Sequence, residues 1–135
     1  MKLIIKRSEW IRGEDAMQSY LRREHDDKKC CLGFLGEQSG IASTLLIGRN
    51  TPATLIGPLV GLPKTMAFLL DEDASADSAV CAELMVINDT PVGLTASVNQ
   101  YNRLHRDFEV SSEELREAKI GEILAAHGIS VTFID

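Results

Sequence analysis

Three scarcities frame this chain of 135 residues. Aromatic residues make up only 5% of it, so its interior must rest on Leu, Ile, Val, Ala and Met. Basic residues are outnumbered, with 14 Lys and Arg against 20 Asp and Glu and a formal net charge of −6. Such a balance argues against binding nucleic acid, which requires phosphates to be neutralised over a broad face. It argues equally against adsorption to an anionic membrane. Long apolar runs are also missing. No stretch approaches the roughly 18 residues of a membrane span. The apolar part of "MKLIIKRSEW" is only Leu3 to Ile5, far short of the core of a signal peptide.

Cysteine is scarce and awkwardly placed. Cys30, Cys31 and Cys81 include one adjacent pair and show no spacing of a secreted disulfide framework. No CxxC or HxxxH pattern offers a zinc ligand set, so neither a metal nor a cofactor is expected. These features together place the chain in a reducing cytoplasm. Its hydrophobic fraction of 44% and charged fraction of 25% suit one soluble domain spanning residues 1–135.

The pattern along the chain predicts an α+β fold, with several helices packed on a small sheet. "KLIIKR" reads as a strand, and Ser8 as the cap of a short helix carrying Trp10 and Ile11 and stopped by Gly13. "SYLRREHDDKK" reads as a strand or hairpin turning at Asp26 and Asp27. In "CCLGFLGEQSG", Cys31, Phe34 and Leu35 share a helical face and Gly40 closes it. Gly33 and Gly36 are unfavourable there by about 1 kcal/mol each relative to Ala. That cost suggests that another element, the later "AVCAELMVI" segment, packs closely against them. The stretch "IASTLLIGRNTPATLIGPLVGLPK" is broken into short pieces by Pro and Gly, and "TMAFLL" is apolar. "DSAVCAELMVINDT" predicts a central helix capped by Asp77, with a strand at "ELMVIN" as the alternative. "LTASVNQYNRLHRDFEV" predicts a loop with a short helix. "SSEELREAKIGEILAAHG" predicts a helix with a capping box from Ser111 to Glu114 and an inner face of Leu115, Ala118, Ile123 and Ala126. Gly128 ends it, and "ISVTFID" alternates as a strand that pairs with the first.

Several residues invite a chemical reading. A helix N-terminus beside Lys28 and Lys29 would lower a thiol pKa, so Cys30 or Cys31 could act as a nucleophile with His25 as base. The competing reading is that both cysteines are small apolar groups starting a buried helix. Asp71, Glu72, Asp73 and Asp77 form either a solvated loop or an acidic face for a basic partner. Asn88 and Asp89, with Trp10, stand either at the lip of a pocket or as a helix end packed in the fold. "GLPKT" and "GRNTP" match neither a GxxxxGK[ST] loop nor GxGxxG after a strand.

Read in order, Trp10, then Cys30, Cys31, Leu32 and Gly33, then Leu62 and Pro63, then Leu84, Asn88 and Asp89, and a final helix make a recognisable series. The series resembles a widespread set of small phage and prophage proteins of unassigned function. The run Cys-Cys-Leu-Gly is its most specific mark. The chain departs from the set in carrying Ile87 before Asn88 and an acidic insertion from Asp71 to Asp77. The resemblance brings no catalytic residues. It implies a mobile-element origin and a life in the cytoplasm of a host bacterium. By analogy with that class, the chain would be a non-enzymatic binding protein, such as a counter-defence inhibitor that occludes a host bacterial protein or sequesters a small nucleotide-like ligand. A thiol-dependent enzyme and a homodimeric regulator or assembly factor are the alternatives.

Overall fold

The computed structural model describes residues 1–14, 19–56, 61–97 and 107–135. Strand β1 (Lys2–Lys6) alternates buried and exposed residues, with Leu3 and Ile5 inward. It pairs in parallel with β4 (Ser130–Ile134), in a register running from Lys2 against Ser130 to Lys6 against Ile134. The two ends of the chain thus form one small sheet, and everything between them is the crossover. Helices pack on this sheet, and the fold is α+β.

After β1, a 3-10 turn covers Arg7–Glu9, and Trp10 leaves it in extended conformation. Ser8 therefore caps no helix bearing Trp10. Extended backbone lets Ile11 donate to the Lys29 carbonyl at 2.8 Å while Lys29 donates to Glu9 at 2.9 Å. Residues 19–30 are irregular rather than a hairpin of strands, although the polar turn at Glu24 to Asp27 is present. Arg23 closes it by donating to the Lys28 carbonyl at 2.7 Å.

Helix α1 (Cys31–Gln38) is apolar and buried from Cys31 through Gly36 and ends on the polar Glu37 and Gln38. Gly40, at φ +100, ends it in the left-handed region that favours glycine. Helix α2 (Ser43–Leu46) and 3-10 turns at Pro52–Leu55 and Lys64–Leu69 carry the chain to α3 (Ala79–Asp89). The segment "ELMVIN" is thus helical. The cap of α3 is Ser78 and not Asp77: the Ser78 hydroxyl accepts from the Cys81 N–H at 3.1 Å. Asp77 instead accepts from the Ala53 N–H at 3.0 Å, tying a neighbouring turn to the helix start.

Beyond α3, β2 (Thr95–Ala96) pairs antiparallel with β3 (Phe108–Glu109). The flanks of the expected loop are therefore a short ladder; its middle, with Tyr101 and His105, lies outside the described residues, as does the Gly57–Pro58 turn. Helix α4 (Glu113–Ala125) is capped by Ser112 rather than Ser111, its hydroxyl accepting from the Leu115 N–H at 3.1 Å. Leu115 then occupies the position where a capping box needs Glu. The buried face of α4 is Arg116, Ile120 and Leu124. Leu115 is 46% exposed. The face is rotated from the expected one because a fully buried arginine takes an inner position.

Candidate functional site

The adjacent cysteines lie in the core. Cys30 is 4% exposed and Cys31 1%. Burial pushes the Cys30 thiol up to about 12 and the Cys31 thiol well above its ordinary value, because a thiolate would lose its hydration. Two of the expected activating groups, Lys29 and His25, have other partners. The Lys29 ammonium pairs with Glu37 at 3.3 Å and lies over the Phe34 ring at 4.9 Å. His25 sits on an outer turn, 71% exposed, beside Asp26 at 3.6 Å. The structure does not bring His25 and the thiols together.

Gly33 explains the tight fit at this helix start. A Cβ there would lie 1.8 Å from the Leu21 carbonyl oxygen. The close neighbour is thus the irregular segment before the helix, and not α3. With no side chain at this position, the 19–23 segment lies directly on α1.

Residues far apart in sequence meet at Asn88, which is 1% exposed. Its carboxamide oxygen accepts from the Trp10 indole N–H at 2.8 Å and from the Cys31 backbone N–H at 3.1 Å. Its amide nitrogen donates to the Ile11 carbonyl and to the Asp89 carboxylate, both at 3.0 Å. Asn88 and Trp10 are therefore interior groups, held in the fold by these contacts. The acceptor on Cys31 satisfies one of the open N–H groups at the first turn of α1, which no local side chain caps.

Arg116 completes this centre from α4. One of its guanidinium nitrogens donates to the carbonyls of Ile87 at 2.6 Å and Asn88 at 2.9 Å, the end of α3. A cation at a helix C-terminus meets the negative end of the helix dipole. Glu113 holds the same guanidinium at 2.5 Å, and Gly13 donates to the Asn88 carbonyl at 2.8 Å. Arg12, over the Trp10 ring at 4.5 Å, joins β1's exit to the same centre. The sequence does hold a trace of Arg116: it shares the i, i+4, i+8 row with Ile120 and Leu124.

The acidic loop divides its labour. Asp71 accepts from the N–H groups of Ser75 at 3.0 Å and Ala76 at 3.4 Å, and Asp77 holds Ala53. These two carboxylates organise backbone. Glu72 and Asp73 remain exposed on the turn.

A larger acidic feature was not legible in the sequence. An open groove of about 770 Å³ runs between α3, β3 and α4. Among the described residues, Glu83, Asp107, Glu109 and Glu122 line it, four carboxylates beside the ammonium of Lys119. Its apolar floor is Phe108 and Leu115. Lys119 lies over the Phe108 ring at 5.6 Å and within 3.7 Å of Glu122. Three separate elements supply these residues, so no local spacing announces them. Among the described residues, no group of three His, Cys, Asp or Glu side chains is arranged to hold a metal ion. No helix among them is long and apolar enough to cross a membrane.

Comparison with known proteins finds no matching family model, no matching curated protein and no matching solved structure.

Proposed function

We propose that this chain acts by binding, and that the groove between α3, β3 and α4 receives a basic segment of a partner protein. The observation that carries the reading is the composition of the groove. Its apolar floor gives area to bury, and its carboxylates select positive charge. Facing charges of this kind chiefly raise the association rate and exclude acidic competitors. Glu72 and Asp73, exposed on the acidic loop, add further negative charge to the exterior.

In keeping with the resemblance to phage and prophage proteins, the partner would be a host bacterial protein, and the effect occlusion of a surface that ordinarily meets something anionic. The burial of Cys30 and Cys31 disfavours the thiol-enzyme alternative, since a nucleophile must reach its substrate as a thiolate.

The test is a pulldown from bacterial lysate with the tagged full chain, followed by binding titrations at increasing salt. The expected result is one dominant partner, bound less tightly as salt rises, and lost when Glu83 and Glu109 are both changed to Lys. A partner held equally well by the double variant would remove the groove from the mechanism. Recovery of no partner at low salt would overturn the binding reading.

A further inference from the structure

The two-stranded sheet treats its two edges differently. On the β1 side, the Gln38 side chain occupies the edge. Its amide oxygen accepts from the Ile4 N–H at 2.9 Å, and its amide nitrogen donates to the Ile4 carbonyl at 2.7 Å. A side-chain amide thus stands in for a neighbouring strand, and that edge is closed.

Among the described residues, no side chain covers the β4 side in this way. Ser130 donates to the Met1 carbonyl at 2.9 Å, which turns the backbone groups of Ser130, Thr132 and Ile134 toward β1. Those of Val131 and Phe133 therefore face outward, and among the described residues no strand pairs with them. Exposed edges are commonly protected by charge, proline or a bulge. The run Ser130 to Ile134 has none of these.

We infer that β4 pairs antiparallel with β4 of a second copy of this chain, about a two-fold axis through Thr132, to make a continuous four-stranded sheet. This register is self-complementary. Val131 lies opposite the second copy's Phe133 and exchanges both backbone hydrogen bonds with it, and the reverse holds across the axis. Thr132 meets its own copy, a favourable cross-strand pair. Charge agrees with the arrangement. Two copies at net charge −6 repel in general, but the paired strands are neutral. At each end, Asp135, the charged residue next to the run, is already neutralised within its own chain by Arg7 at 3.0 Å.

Helix α4 supplies an independent sign. An open hollow of about 370 Å³ lies beside this edge, walled by Gly121 and Ala125 on one side and residues from Gly128 to Val131 on the other. Gly121 is in mid-helix, where glycine is a poor choice. A Cβ there would touch nothing within 4 Å, so nothing among the described residues requires the glycine. In the two-fold sheet, the α4 helices of both copies lie on the same face, and small residues at this hollow let them approach. The inference is independent of the groove reading, because groove residues and edge residues do not overlap.

The experiment is light scattering on the full chain over a concentration series, with two variants at the exposed Thr132. The wild type is expected to show a mass of two copies. Thr132→Lys and Thr132→Glu each place like charges face to face across the axis and should each run as one copy, folded as the wild type is by circular dichroism and with a Tm that no longer rises with concentration. Mixing the two variants should restore the two-copy mass. Gly121→Leu, which fills the hollow, should weaken dimerisation at least tenfold. A one-copy wild type at every concentration overturns the inference. So does a dimer that neither Thr132 variant weakens, or a mixture of variants that stays monomeric.

Discussion

The Trp10 indole N–H donates to the Asn88 carboxamide oxygen at 2.8 Å, across 78 positions of sequence. The same oxygen accepts from the Cys31 N–H, so one side chain joins the exit of β1, the start of α1 and the end of α3. A buried amide with its donors and acceptors engaged is strongly position-specific, because each lost partner leaves an unsatisfied group behind. Asn88→Ala is therefore expected to destabilise the chain by about 2–4 kcal/mol in urea unfolding. A loss below about 1 kcal/mol would show that the three elements hold together without this junction.

Gly33 and Gly36 occupy one helix but face different neighbours. A Cβ at Gly33 meets the Leu21 carbonyl oxygen at 1.8 Å, which is backbone and cannot step aside. At Gly36 the nearest atom is Leu46 Cδ2 at 3.2 Å, the tip of a side chain. Gly33→Ala should cost about 3 kcal/mol or more, whereas Gly36→Ala should stay within about 1 kcal/mol of the wild type. Paired melting curves decide the matter, and equal shifts for the two variants would contradict the close approach.

Cys30 and Cys31 should resist a maleimide until the chain unfolds. Their folded pKa values are raised, the Cys30 value to about 12, so the folded chain keeps protons that the unfolded chain releases near the ordinary thiol value. Stability from these thiols is whole below about pH 8.5 and declines as pH rises above it. The expected slope is about 1.4 kcal/mol per pH unit for each thiol. Unfolding measured from pH 7 to 10.5 should show a shallower decline in Cys30→Ala. Rapid labelling of the native chain at pH 7 would contradict the burial. Cys31→Ser should lower stability by about 1–3 kcal/mol, because it buries a hydroxyl in an apolar site.

Asp26 tests the polar turn. The Arg23 guanidinium, donating to its carboxylate at 2.7 Å, lowers the Asp26 pKa to about 2. A depressed carboxylate contributes stability above its unfolded value, near 4, and loses it as pH falls toward 2. Asp26→Asn should flatten the acid limb of the stability profile in this window and leave the neutral limb parallel to the wild type. An unchanged acid limb would show that the pair adds nothing in solution.

Local pattern revealed much of the architecture. The strands at both ends, the helix opening at Cys31, the helix through Leu84 and the last helix all follow from apolar periodicity and from glycine stops, as at Gly40 and Gly128. Caps were legible only to within one residue: Ser78 stands where Asp77 is expected, and Ser112 where Ser111 is. Neighbouring Ser and Asp residues are similar acceptors, and which one reaches the open N–H depends on where the helix is anchored. The inner face of α4 differs from the expected one because an arginine ordinarily marks the outer face. Arg116 is buried only because the carbonyl end of α3 arrives to receive it.

The order of apolar and polar residues was enough to mark the two terminal strands and helices α1, α3 and α4, and to make burial one of two readings of Cys30 and Cys31, since burial follows local periodicity. Tertiary structure alone decided that Trp10, Cys31 and Asn88 meet, that the carboxylates of three elements share one groove, and that no described strand or side chain pairs with the outer edge of β4. Each of these depends on groups distant in the chain coming together, and a hydrogen bond or a field of charge exists only when both partners are in place.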